Sequence, residues 1–536
     1  MEADAHSKGD KLMSLGLFDV VGPIMHGPSS NHTGGATRIG YLTRCIMRGI
    51  AKDYVFMYHP IFMRMFTGHR THIGMLAGCL GIREYEEECN NARRLADEQG
   101  ISVSYRPIED EEVDRNTMRI LGHTDGVDWN INGISVGGGN VLISRINGVE
   151  TAIDGNCSVY IYLIDNDEFA QQAHDHVVRT CNPVRISTGH TAQGELLVIE
   201  TRTGGVLPNA PDALLGDHLI LSRIIAPIVR FTDRTGNPPL FTSLAEFVTC
   251  CSNRTMAEAA MDYEVNRSGC SRADVMAMAI DIVDVIGKSM EQGLKGNNPL
   301  LGGYCSGSDG KMMDDWGKSG NSIVGSVFND AIAGALAVAE VNACGGRIVA
   351  VPTAGSAGGL PGTLFAVAKR YNSSREQLAE AFLVAAAVGA VIGRSCSFSG
   401  SIGGCQAEVG IGAGMAAAGA CYLAGANAET AIHAASLAIK NSLGLVCDPL
   451  AGPVEVPCIK RNAMGASVAL MGAEMALAGI RSVVPPDEVI VALKDTQDRI
   501  PTELRGACIG GLAAAPIAKS LQDMWQKKLE ANRALQ

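Results

Sequence analysis

Apolar and polar positions follow different periods along the chain. Between residues 15 and 150, short runs with strand spacing alternate with helical patterns. Residues 54–58 and 101–105 read as strands, and residues 73–80 and 84–99 as helices, the second ended by Gly100. Residues 131–136 and 141–146 flank Gly137-Gly138-Gly139-Asn140, a hairpin signal. This is a mixed α+β domain. A second unit runs strand 158–164, helix 168–180, strand 184–189 and, after a turn at Gly194, strand 196–201.

Residues 204–239 carry five prolines in irregular surroundings and read as a linker. From residue 243 onward the period is helical, over 243–251, 254–268, 272–293, 323–343, 375–393, 429–443 and 463–479. The expected division is therefore an α+β domain over 1–152, a small βαββ module over 153–207, a linker over 208–242 and an all-α domain over 243–536. Between Glu408 and Glu429 lie twenty uncharged residues, nominally enough to span a membrane. They are mostly alanine and glycine, so a closely packed buried helix is the expectation.

Composition narrows the function classes. With 46% apolar and 19% charged residues the chain can bury large cores, and its net charge of −12 with no basic run argues against nucleic acid. Residues 1–11 are polar and mixed in charge, without the apolar core of a signal peptide. A cytoplasmic location is expected, and there clustered thiols point to metal binding or catalysis rather than to disulfides. No Cys-x-x-Cys pair is present, so zinc-ribbon and ferredoxin spacings are absent.

Sixteen cysteines are present, and most, such as Cys79, Cys157 and Cys421, read as small buried hydrophobes. Three stand apart: Cys405 in Gly403-Gly404-Cys405-Gln406-Ala407-Glu408, Cys447 before Asp448-Pro449, and Cys458 after Val456-Pro457. Pro449, Pro453 and Pro457 forbid a continuous helix between the last two and stiffen a loop that can aim thiolates at one point. Three thiolates on an iron–sulfur cube leave one iron corner for a substrate.

Two further loops are rich in hydroxyls. Gly27-Pro28-Ser29-Ser30-Asn31-His32-Thr33-Gly34-Gly35 stands before a helical run, where backbone N–H groups favour an anion; an elaborate helix cap is the other reading. Thr67-Gly68-His69-Arg70-Thr71-His72 is a second polar cluster. Pro352-Thr353-Ala354-Gly355-Ser356-Ala357-Gly358-Gly359 follows a strand-like run and is neither a Walker A loop nor a Rossmann fingerprint. A small carboxylate suits it better than a nucleotide phosphate.

Together these motifs resemble those of the iron–sulfur-dependent bacterial L-serine dehydratases (L-serine ammonia-lyases), in the fused single-chain form with the β portion before the α portion. The resemblance covers residues 15–150 and 243–521 and runs through residues 27–33, 68–72, Asn116-Thr117, 351–358, 403–408, 447–449 and 456–462. It implies a [4Fe–4S] cluster on Cys405, Cys447 and Cys458. Asn31 stands where the family has a third serine, Arg70 and His72 vary its Gly-His-x-Thr-Asp motif, and Cys344 replaces an expected serine or methionine. The βαββ unit resembles an ACT-type module, though its first loop, Asp165-Asn166-Asp167-Glu168, lacks the glycine such modules use to bind a small amino acid.

No pyridoxal-lysine motif is evident, so pyridoxal phosphate is not expected. The resemblance implies a lyase that removes water from L-serine, leaving pyruvate and ammonia. A same-architecture enzyme for L-cysteine, L-threonine or a larger β-hydroxy amino acid is the alternative, and a non-catalytic cluster-bearing sensor is the rival of another class. His69 is the expected base and His32 the second choice. Ser29, Ser30, Asn31, Thr33, Arg70, Thr71, Thr353 and Ser356 are the expected substrate contacts. Because both histidines precede residue 152 and all three thiols follow residue 243, the site should form between domains. A small amino acid as substrate, a homodimer, and neither nucleic acid nor membrane complete the expectation.

Overall fold

The computed structural model describes residues 15–202, 207 and 209–531. The N-terminal region rests on a six-stranded sheet in the order Ser102–Pro107, Asp53–Tyr58, Thr117–Thr124, Val127–Gly137, Asn140–Ile146, Val149–Ile153. Its first pair is parallel and the rest antiparallel. Ile39 and Met75, from helices Gly35–Met47 and Thr71–Cys79, share a buried core with Phe56, Ile120 and Ile131 of the sheet.

The spacing predicts one helix over residues 84–99, but only Ala92–Glu98 is α-helical, after the tight turn Glu87–Asn91. Glu84 is drawn inward, where it pairs with Arg38 at 2.8 Å and Arg83 at 3.3 Å. Its carbonyl accepts from the His26 N–H, so the chain there satisfies its backbone outside a helix.

The proline-rich segment read as a linker, 208–242, does more than connect. It supplies strand Leu219–Ile225, which pairs with Ser158–Ile164 in a second sheet completed by Gly194–Thr201 and Arg185–Thr191. Leu221 and Ile225 are buried while Ile220 and Ile224 are exposed, the period of two of a half-buried strand. All seven residues of Ser158–Ile164 are buried. Val159, Ile161 and Leu163 join the core of the first sheet, whereas Tyr160, Tyr162 and Ile164 pack with Ala173 and Val177 of helix Asp167–Thr180. The small unit and the first region therefore share a core.

The C-terminal region is helical. The expected helices appear as Leu244–Cys250, Met256–Ser268, Arg272–Leu294, Ser326–Ala343, Arg375–Ile392, Ala428–Lys440 and Cys458–Leu477. Asp309–Lys318, Gly359–Tyr371, Pro486–Arg499 and Pro516–Ala531 add to them. The uncharged stretch forms the buried helix Ile411–Leu423, packed where Gly414 meets Ile439 and Gly419 meets Leu364. Among the described residues no helix is long and apolar enough to cross a membrane.

One strand interrupts the helices. Arg347–Val349 pairs antiparallel with Ile24–His26, joining the two regions edge to edge. Asn342 Nδ2 donates to the Pro28 carbonyl at 2.9 Å across the same seam. Gly68 presses against the backbone of Gly452 and Pro453, and a Cβ there would lie 2.7 Å from Pro453 N. Backbone on both sides cannot yield to that atom. Gly68→Ala should cost about 1–3 kcal/mol by overpacking, read as a lower thermal midpoint, whereas Gly49→Ala, whose Cβ would meet nothing closer than 3.6 Å, should change it little.

Candidate active site

A cavity at the seam is lined from both regions, by Ser29, Asn31, His32 and His69 on one side and Gly400, Ser401, Cys405, Glu408, Cys447, Cys458 and Arg461 on the other. Two of its wall segments share a local form. Ser30–Gly34 and Gln406–Gly410 are wide, π-type turns that open helices Gly35–Met47 and Ile411–Leu423. Such turns recur at functional sites, and here they carry His32 and Glu408 at the cavity wall.

The imidazoles form a pair. His32 Nδ1 and His69 Nδ1 lie 2.8 Å apart, with the rings stacked at 5.0 Å between centroids. His32 Nε2 reaches Asn116 Oδ1 at 3.4 Å. Burial holds the His69 pKa down at about 4. It also lowers His32 well below the usual imidazole range, with His69 adding to the effect. Both rings are neutral at pH 7. Thr33 Oγ1 donates to the His69 carbonyl at 2.6 Å and accepts from the Ser29 N–H at 3.1 Å, locking the two histidine loops together.

The three thiols come from three segments. Cys405 precedes the turn Gln406–Gly410, Cys447 lies on extended chain bridged to Arg505, and Cys458 opens helix Cys458–Leu477. Gln406 ties the first two: its N–H donates to the Leu445 carbonyl at 2.9 Å and its Oε1 accepts from the Gly444 N–H at 2.9 Å. Arg461, one turn into the Cys458 helix, donates to Cys405 Sγ at 3.5 Å and the Val446 carbonyl at 2.7 Å, and pairs with Asp448 at 2.7 Å. The hydrogen bond and charge of Cys405, with burial, push the Cys447 thiol pKa up. Burial, then Cys405 and Glu408, raise that of Cys458. Single oxygen or sulfur atoms of Cys405, Glu408 and Cys447 lie within 4.8 Å of one another, close enough to share a metal.

Glu408 was not singled out from the sequence. It follows Cys405 by three residues, a spacing that puts both on one helical face. Burial raises its pKa to about 7, opposed by the Thr353 hydroxyl, which donates to Oε1 at 2.8 Å, and by Arg461. Asn116, Ser399, Ser401 and Arg461 were missed as well; only Asn116 and Arg461 lie in motifs that the sequence displays.

Four of the expected substrate contacts and bases reach the cavity: Ser29, Asn31, His32 and His69. The others stand behind its wall. Ser30 Oγ accepts from the Ala354 N–H at 3.1 Å across the seam. Thr353 and Ser356 are buried and bonded to each other at 3.1 Å, so they shape the loop rather than face the cavity. The N–H groups of Gly358 and Gly359 are taken by Asn462 Oδ1 at 2.8 and 3.1 Å, so these two donors are committed within the chain, while Gly355 of the same loop lines the cavity. Arg70 turns away, donating to Asn90 Oδ1 at 2.6 Å. Thr71 is fully buried, and His72 packs edge-on against Phe66 and Tyr105.

The loop before Cys458 is anchored from below. Glu455 is fully buried and accepts from four backbone N–H groups, those of Gly302, Gly303, Tyr304 and Cys305. Among the described residues no cation pairs with it, and the peptide dipoles face its carboxyl oxygens. Glu455→Gln would turn an amide N–H toward those donors and should cost about 1–3 kcal/mol. The expected readout is a lower thermal midpoint; an unchanged midpoint would show that the anchor is dispensable.

The model of the family described as "Serine dehydratase alpha chain" matches residues 251–513, which include all three cysteines. The chain is 45% identical over 263 residues to the probable L-serine dehydratase, alpha chain, of Bacillus subtilis, covering 49% of this chain and 86% of the relative. It is 35% identical over 289 residues to the L-serine dehydratase, alpha chain, of Peptoniphilus asaccharolyticus, covering 53% and 97%. With L-serine dehydratase TdcG of Escherichia coli it shares 41% identity over 181 residues, 33% of this chain and 40% of the relative. The protein belongs to the serine dehydratase alpha-chain family.

Proposed function

We propose that the protein is an iron–sulfur-dependent lyase that converts L-serine to pyruvate and ammonia. The observation that carries this reading is the meeting of three thiols and an imidazole pair, from different regions, at one cavity. The names of its relatives favour serine over cysteine, threonine or larger amino acids. A sensor without catalysis would need no neutral imidazole pair at the wall.

The donor set fits a [4Fe–4S] cluster on Cys405, Cys447 and Cys458. Gly400 and Gly506 leave room beside Cys447, where a Cβ would come within 3.3 and 3.4 Å of Sγ. The raised thiol pKa values reflect crowded sulfurs that a cationic centre would stabilise as thiolates. Bound there, the cluster would supply a Lewis-acidic iron for the substrate hydroxyl and carboxylate.

The chain's own groups do the rest. Asn31 Oδ1 is buried at the cavity without a hydrogen-bond partner, so it can accept from the substrate ammonium. Ser29 offers a hydroxyl beside it. His69, neutral at pH 7, takes the Cα proton; the C–H electrons become the Cα=Cβ bond as the Cβ–O bond breaks, and the hydroxyl leaves as hydroxide, which takes up a proton to become water. The aminoacrylate released tautomerises and hydrolyses to pyruvate and ammonia. Burial excludes bulk water from the neutral base. The four-stranded unit, ACT-like in its order of elements, takes a structural role on this reading, because Val159, Ile161 and Leu163 belong to the neighbouring core.

Replacing Cys405, Cys447 or Cys458 by Ala should abolish iron binding and ammonia release from serine together. Cys396→Ser should leave iron content unchanged, since its thiol is buried against the Ile490 carbonyl at 3.6 Å. Full activity in any of the three Ala variants would overturn the cluster assignment.

His69→Ala should lower kcat by roughly 10²–10⁴, the usual size of a general-base contribution, with the cluster spectrum intact and still perturbed by serine. Activity within a few-fold of the parent would move the role to His32.

A further inference from the structure

A single hydrogen-bond chain crosses the seam and ends on the base. Asn31 Nδ2 donates to Ser399 Oγ at 2.8 Å, Ser399 and Ser401 hydroxyls are 2.7 Å apart, and Ser401 Oγ donates to Asn116 Oδ1 at 3.0 Å. The same Asn116 oxygen faces His32 Nε2 at 3.4 Å, and His32 Nδ1 faces His69 Nδ1 at 2.8 Å. Each of these residues is buried or half-buried, so the groups along the chain pair with one another rather than with bulk water.

The directions follow from donor capacity. An amide oxygen only accepts, so Ser401 gives its hydroxyl proton to Asn116, and Ser401 must accept from Ser399, whose oxygen in turn accepts from Asn31. By the same rule His32 carries its proton on Nε2. A neutral imidazole has one N–H, so His32 Nδ1 is an acceptor and must receive the Nδ1 proton of His69. His69 is then left with a bare Nε2, the state a base needs.

We infer that Asn116 and Ser401 are positioning residues that fix the tautomer of His69 through His32. The inference rests on the assignment of His69 as base. Neither residue need touch substrate through its amide or its hydroxyl; they act through the ring between. Ser401 also belongs to helix Gly400–Gly403, four residues before Cys405, which precedes the turn Gln406–Gly410, and Arg115 Nη1 donates to the Ser401 carbonyl at 3.5 Å. The protonation pattern of the base, set in one region, thus depends on the segment that carries a thiol in the other. That Asn31 closes the chain adds a consequence: its Nδ2 is committed to Ser399, which leaves Oδ1 as the atom that faces the cavity.

The test uses full-length protein labelled with ¹⁵N-histidine. Long-range ¹H–¹⁵N spectra should show His69 protonated at Nδ1 and His32 at Nε2. In Ser401→Ala and Asn116→Ala the His69 signals should move toward a mixture of tautomers. In the cluster-loaded enzyme the same variants should lose kcat by roughly 10- to 100-fold, less than the roughly 10²–10⁴ of a lost general base, with KM within about twofold and the iron content and cluster absorbance unchanged. Ser401→Thr, which keeps the hydroxyl, and Asn116→Asp, which keeps the acceptor, should restore the tautomer and most of kcat. A parent spectrum with His69 protonated at Nε2, or alanine variants with parental tautomers, would overturn the inference. Activity in His69→Ala would instead remove the base assignment, and the tautomer spectra would still decide whether the chain acts as described.

Discussion

The rest of the structure depends on a polar site buried at the seam between two cores. Two imidazoles and the Cys405 thiol are buried there, with Cys447, Cys458 and Glu408 half-buried beside them, and each buried polar atom costs free energy unless it is bonded. The solution is reciprocal. Ser30 and Pro28 of the first region are bonded by backbone and side chain of the second, and Asn31 by Ser399. The strand pair Ile24–His26 and Arg347–Val349 fixes the register on which these contacts depend.

Local backbone satisfies what side chains cannot. Glu455 rests on four peptide N–H groups, and Asn462 holds the glycine-rich loop at Gly355, Gly358 and Gly359 while capping the Cys458 carbonyl at 3.0 Å. The thiol-bearing loop can therefore stay irregular without being loose. Its prolines remove backbone donors that would otherwise need partners.

The division of labour follows the division of cores. The imidazole pair sits on loops tied to the N-terminal sheet, and the thiols sit on turns tied to the alanine-rich helical core. Each half can be built to its own packing rules, and the reacting geometry arises only where the two are pressed together. Gly68 shows how tight that contact is, since it leaves no room for a methyl group against Pro453.

Periodicity alone determined the strands 54–58 and 158–164, the hairpin around Gly137-Gly138-Gly139 and the helical region after residue 243, because local burial patterns repeat at 2.0 and 3.6 residues. The motif residues Cys405, Cys447, Cys458, His32 and His69 were legible because their chemistry is rare and their loops are stiff. The strand Leu219–Ile225 was not, since prolines around it mimic a linker and its partner Ser158–Ile164 lies far away in sequence. Nor could the sequence say that Thr353 bonds Glu408 and Ser356 bonds Thr353 while Asn31 faces the cavity; a hydroxyl reads the same whether it meets a ligand or a neighbour. Only the tertiary structure decided this, because hydrogen-bond direction and burial are set by residues hundreds of positions apart, where no local pattern reaches.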